Sequence, residues 1–177
     1  NWTKRFGIMD PVSGSSFGPR AELSRSQVVD ALWRLADGPP FSTAVPFADV
    51  PLNAPYGAAL NRAIESGITA GYADGTFHPD NTVKRGQLVT MLWNLAGRPT
   101  GSPYAGFSDV APNDKLSPAL DWARAHGLVT AYPDGTFRAK KTLTRQQVAA
   151  ILFDLARSKP AWAQYPAAPP STVVFAH

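Results

Sequence analysis

Apolar residues recur at helical spacing in blocks that alternate with polar, Gly- and Pro-marked stretches. Ala59, Leu60, Ala63 and Ile64 fall on one face of a helix expected over 55–66. Leu88, Leu92 and Leu95 do the same over 84–96. Two further helices are expected near 116–126 and 144–157. Gly67 and Gly127 follow the first member of each pair, where a left-handed residue ends a helix. Ser24-x-x-Gln27 and Thr144-x-x-Gln147 are capping boxes that start the second members, and Gln87 repeats the acceptor. Lys84 stands where that cap would be and leaves its helix start less defined. Between paired helices, Asp74-Gly75 and Asp134-Gly135 mark turns, and Pro79 punctuates the first of these loops.

This alternation is a repeat. Shifting the chain by 60 residues superposes Gly7, Gly67 and Gly127; Phe17, Phe77 and Phe137; and Arg25, Arg85 and Arg145. Leu32, Leu92 and Leu152 follow, with Leu35, Leu95 and Leu155. Copies two and three also share Phe47/Phe107, Asp49/Asp109 and the string Tyr-x-Asp-Gly-Thr-Phe at 72–77 and 132–137. The expected fold is all-α: three helix-loop-helix copies over 1–40, 41–100 and 101–159, and a Pro/Ala-rich tail over 160–177. Copy one starts inside its first helix, since Asn1-Trp2 aligns with Asp121-Trp122; the chain reads as a fragment or a processed product. Trp162, Tyr165, Val173, Val174 and Phe175 give the tail enough apolar surface to be expected to dock near copy one.

Composition narrows the chemistry. With 44% apolar residues, the 177-residue chain can bury a core. No run reaches the roughly 18–20 apolar residues of a membrane span, so no membrane insertion is expected. Zero Cys excludes disulfides, thiolate metal sites and cysteine nucleophiles. The net charge of +4 hints at an anionic partner but is too dilute to point to nucleic acid. His78 and His126 occupy unrelated repeat positions, and no Ser/His/Asp set repeats, so no catalytic residues and no cofactor are assigned. Asp-Gly-Thr-Phe lacks the alternating oxygen ligands and closing Glu of a calcium loop, so no metal site is assigned either.

Arg25, Arg85 and Arg145 each occupy a helix's first position, where a cation opposes the helix dipole. Two readings explain the repetition. A guanidinium beside free helix N–H groups can bind a ligand carboxylate, or it can pair structurally with Asp49 or Asp109. Tyr72 and Tyr132 can stack on a sugar or pack the core. Trp2 and Trp122 can pack or wall a groove, whereas Trp33 and Trp93 read as packing residues.

Phe-Ala-Asp-Val-Pro at 47–51, Gly-Ile-Thr-Ala-Gly-Tyr-Ala-Asp-Gly-Thr-Phe-His-Pro at 67–79 and Val-Lys-Arg-Gly-Gln at 83–87 resemble the surface-layer homology (SLH) domain. Phe-Ser-Asp-Val, Ala-Tyr-Pro-Asp-Gly-Thr-Phe-Arg and Leu-Thr-Arg-Gln-Gln repeat the likeness in copy three. The resemblance implies a pseudo-trimer of repeats around a central helix bundle. It also implies non-covalent anchoring of a secreted surface protein to the bacterial envelope, with self-association in a surface layer as a further partnership. In Gram-positive members the ligand is a secondary cell-wall polysaccharide, often carrying a pyruvate ketal. A structural or self-assembly module is the alternative. Such modules are commonly attached to enzymes. The implied ligand-binding set here is Arg25, Arg85, Arg145, Gly71, Tyr72, Tyr132, Asp49, Asp109 and Trp122. In copy one, Pro11 removes a backbone donor and Asp10 adds negative charge, so the first groove, and Arg25 with it, is expected to be the weakest.

Overall fold

A computed structural model describes residues 7–36 and 47–158. Trp2, the connector at 37–46 and the tail whose docking was expected lie outside the described residues. The described part contains α1 (Arg25–Leu35), α2 (Gly57–Glu65), α3 (Arg85–Leu95), α4 (Ser117–Ala125) and α5 (Arg145–Ser158), with no β-strand among those residues. No helix of the described residues is long and apolar enough to cross a membrane.

The starts of α1, α3 and α5 and the ends of α2 and α4 have local causes. Ser24 Oγ accepts the Gln27 N–H, and Gln27 Oε1 accepts the Ser24 N–H in return. Thr144 and Gln147 make the same reciprocal pair. At α3 the backbone N–H of Lys84 donates to Gln87 Oε1 at 3.0 Å, so half of the box is enough to start the helix after Lys84. Leu23, Val83 and Leu143 precede the caps and Val28, Leu88 and Val148 lie in the first turns; all six are buried, which matches a hydrophobic staple. Gly67 and Gly127 adopt φ +66° and +69°, where any side chain would be strained, and let Ile68 and Leu128 bond back to Ala63 and Ala123.

One hydrophobic cluster runs through all three copies. Phe77 and Phe137 are wholly buried in it, each against the aromatic ring of its own copy's entry segment, Phe47 at 5.6 Å and Phe107 at 5.2 Å. The packing partners do not follow repeat boundaries: α1 packs on α2 and on α5, and α3 packs on α4. The second helices of copies one and two therefore lie against the first helix of the following copy, and α5 lies against α1.

The backbone repeats that handover. The Arg25 N–H donates to Asn81 O, the Arg85 N–H to Lys141 O, and the Arg145 N–H to Ala21 O. Ser26, Gly86 and Gln146 donate in the same way to Pro79, Ala139 and Pro19. Single antiparallel bridges join Ser24 to Thr82, Lys84 to Thr142 and Glu22 to Thr144. Copy one thus bonds to copy two, two to three, and three back to one.

Candidate functional site

The three arginines sit at these junctions. Arg25 donates from Nε to Phe77 O at 2.9 Å and from Nη2 to Ala70 O at 3.2 Å. Arg85 donates from Nε to Phe137 O at 2.9 Å and from Nη2 to Thr130 O at 3.3 Å. Arg145 donates from Nε to Phe17 O at 2.8 Å and from Nη2 to Asp10 O. Every guanidinium thereby ties a helix start to the loop of the next copy. Arg25 and Arg145 are buried and Arg85 is half-buried. Burial pushes all three pKa values below the ordinary arginine value; Tyr72 and Asp49 partly offset this at Arg25, Tyr132 and Asp109 at Arg85, and Asp10 at Arg145.

None of the three arginines forms an ion pair among the described residues. The structural pairing with Asp49 or Asp109, one of the two readings of these arginines, is not formed, and those acids take another role. Asp49 accepts the N–H groups of Phe77 and His78 at 2.9 and 2.7 Å, and Asp109 accepts those of Phe137 and Arg138 at 2.6 and 2.8 Å. Each acid closes its own copy's entry segment onto the end of the loop. Asp74 and Asp134 shape the turn by accepting the N–H of Thr76 and of Thr136, both at 3.0 Å.

These acids carry a pH dependence. Partial burial pushes the Asp49 carboxyl up, but its backbone N–H bonds outweigh this and hold its pKa below the usual range. The Thr76 hydroxyl bond, backed by the Thr76 N–H, also lowers Asp74. A pKa depressed in the folded state gives stability that is present above the unfolded value, about 4, and lost as pH falls through the folded value. Thermal midpoints should therefore drop progressively below about pH 4. Asp49→Asn should flatten that acid limb while lowering the neutral-pH midpoint; an acid limb identical to the parent's would remove Asp49 from the cause.

The arrangement corrects which loop serves which arginine. Arg25 belongs with Tyr72, its guanidinium carbon 5.0 Å from the ring centroid, and Arg85 belongs with Tyr132 at 5.1 Å. The altered loop of copy one faces Arg145, over Phe17 at 5.0 Å, and not Arg25. The junction that carries the altered loop is thus the one between copies three and one. Asp10 is also ion-paired, because Arg34 grips it with two bonds at 2.9 and 2.8 Å.

Two further residues take structural places. Trp122 is buried at 1% exposure, its ring 5.2 Å from that of His126, so it packs and walls no groove. A Cβ on Gly71 would meet Phe47 at 2.2 Å, so glycine is required there to admit the Phe47 ring. What remains accessible at the junctions is Tyr72, 41% exposed, and half-buried Tyr132 beside half-buried Arg85. The His78 ring lies 4.8 Å from that of Tyr72, and Arg138 and Lys141 lie 4.2 and 4.9 Å from the Tyr132 centroid; none of these was assigned to the site from sequence. Their signal was a difference between copies, His78/Arg138 and Asn81/Lys141, at positions where a repeat search looks for identity.

Comparison with known proteins follows this geometry. The profile of the S-layer homology domain matches residues 46–89 and 106–149, which are copies two and three from entry segment to second helix. Over 89 residues (47% of the chain, 4% of the relative) the sequence is 32% identical to Cell surface glycoprotein 1 of Acetivibrio thermocellus. It is 25% identical to the Cellulosome-anchoring protein of the same organism over 150 residues, 78% of the chain and 33% of the relative. It is 37% identical to Outer membrane protein SlpA of Thermus thermophilus over 70 residues, 39% of the chain and 8% of the relative. The chain spans no more than a third of the length of any of these relatives.

Proposed function

Since residues 46–89 and 106–149 are S-layer homology domains, we propose that this chain is a cell-surface anchoring module that holds its parent protein to the bacterial envelope through a wall polysaccharide. The name of the Cellulosome-anchoring relative supports the anchoring half of this reading. The polysaccharide half rests on one observation. Guanidinium groups with no carboxylate partner among the described residues stand at the junctions between copies, beside accessible tyrosines. A desolvated cation lacking an acid favours an anion brought by the ligand, and the tyrosine faces suit a sugar ring. An acidic wall glycan, pyruvylated or otherwise carboxylated, supplies both groups. No catalytic role is assigned: binding and placement suffice for an anchor.

The cyclic hydrogen bonding supports a finer reading of the architecture, in which copies 1–40, 41–100 and 101–159 close as one pseudo-threefold domain. A purely structural or self-assembling module is the second reading. It is favoured by the fact that Nε and Nη2 of every junction arginine already serve internal carbonyls.

Sedimentation with purified cell walls separates the two. Anchoring requires that the chain co-sediment with intact walls and stay in solution once the polysaccharide is extracted. Tyr132→Ala should weaken wall binding by about 1–2 kcal/mol with the melting midpoint little changed. Binding should also fall between about 0.05 and 0.5 M salt, as the screening length shrinks roughly threefold. Equal sedimentation with extracted walls would favour the structural reading.

A further inference from the structure

The three junctions share one backbone plan but not one charge. At the cleft between copies two and three, three cations gather round the Tyr132 ring. The Arg138 guanidinium lies 4.2 Å from its centroid, Lys141 Nζ 4.9 Å and the Arg85 guanidinium 5.1 Å. The nearby acids are already engaged. Asp134 takes a bond from Arg138 at 2.7 Å, and Asp109 is spent on two backbone N–H groups. Arg85 and Lys141 form no ion pair among the described residues, which leaves two cations on one ring without a contact acid.

The cleft between copies one and two has the same tyrosine and arginine but places His78 and Asn81 at the equivalent positions. His78 there hydrogen-bonds Thr76 and lies 3.8 Å from both Asp49 and Asp74, so that side of the cleft is acidic. The third cleft offers Val12, Gly18 and Ala21 in the same places. Among the three junctions, cations are therefore most numerous at the one between copies two and three.

We infer that the cleft of Arg85, Tyr132, Arg138 and Lys141 is the principal anion site of the chain, and that the unpaired Arg85 and Lys141, with Arg138 beside them, favour two anionic charges over one. The inference deepens the anchoring reading and rests on it for the natural ligand, an acidic glycan, but it can be tested with inorganic phosphate alone. Arg138 and His78 both hold positive φ, 60° and 52°, so the two side chains can be exchanged on the same backbone.

The experiment is an amide chemical-shift titration of the chain with inorganic phosphate, and with acetate as the singly charged control. Shifts should concentrate at 130–141 and at 85–86, with acetate weaker than phosphate. Converting the cleft to its neighbour's residues, Arg138→His with Lys141→Asn, should weaken phosphate binding about fivefold. The reciprocal His78→Arg with Asn81→Lys should create a second responding set at 70–81. Phosphate shifts that are absent, spread equally over both clefts, or indifferent to the exchange overturn the inference. The sedimentation test is independent: retention by intact walls alongside an indifferent phosphate response would sink the inference and leave the anchor. A selective phosphate site in a chain that ignores walls would do the reverse.

Discussion

Arg25→Ala is expected to cost about 3 kcal/mol of stability and to lower the melting midpoint by roughly 6–12 °C. The side chain is 4% exposed, and its Nε and Nη2 bonds reach Phe77 O and Ala70 O in the next copy. A bond from a charged donor contributes about 1.5–3 kcal/mol. Alanine removes two of them and leaves the buried Phe77 carbonyl unmet. It also removes a cation 4.5 Å from the Phe77 ring. Lysine should not rescue the loss, because one ammonium cannot reproduce the two directions of the fork. Arg85→Ala should cost less, since Arg85 is half-buried and water can reach the carbonyls it leaves. Equal midpoints for the parent and Arg25→Ala, followed by circular dichroism, would overturn the structural role. Wall-binding tests accordingly belong on tyrosine and lysine, because an arginine deletion confounds ligand loss with unfolding.

Phe137→Ala should be comparably or more damaging, by about 3–5 kcal/mol. The ring is fully buried against Phe107, with the Arg85 guanidinium carbon 4.6 Å from its centroid. Its removal opens a cavity where copies two and three meet. Because one core runs through all copies, the variant should still melt in a single transition, at a lower urea midpoint and with an unchanged m-value. A biphasic curve, with one copy melting early, would show the copies to be independently stable. Phe137→Leu keeps most of the volume and should cost under about 1.5 kcal/mol.

Much of this was legible in sequence because it is local. Ser24, Thr144 and the repeated Gln state where helices begin, and Gly67 and Gly127 where they end. Even α3, with lysine at its cap, starts where its register predicts, because Gln87 and the buried Val83 and Leu88 suffice. What was not legible is which loop each helix start meets. A pattern unchanged by a 60-residue shift reads the same whether a helix pairs with its own loop or with the next one. Along the chain Arg85 lies nearer to Phe77, yet it bonds Phe137. Nothing local distinguishes these partners; only closure of the whole set does, and it moved the altered loop from Arg25's junction to Arg145's. Trp122 was placed in the ligand-binding set, and not in the core where it is buried, for a related reason. An aromatic on a short amphipathic helix fits a core or a groove wall equally well until the neighbouring copy is in position.

The return of Arg145 to the first loop also counts the copies. Open arrays of stacked repeats bury each unit on its neighbours and leave two free ends, so they lengthen or shorten one unit at a time. Here the last unit's partner is the first, and each junction has a single donor set and a single acceptor loop. Inserting a fourth copy would have to break the bonds from Arg145 to Phe17 and from Gln146 to Pro19 before any new ones form. Deleting one would strand a guanidinium without its carbonyls. Unlike a solenoid, whose length can drift, the closed threefold arrangement proposed above would carry its own stoichiometry.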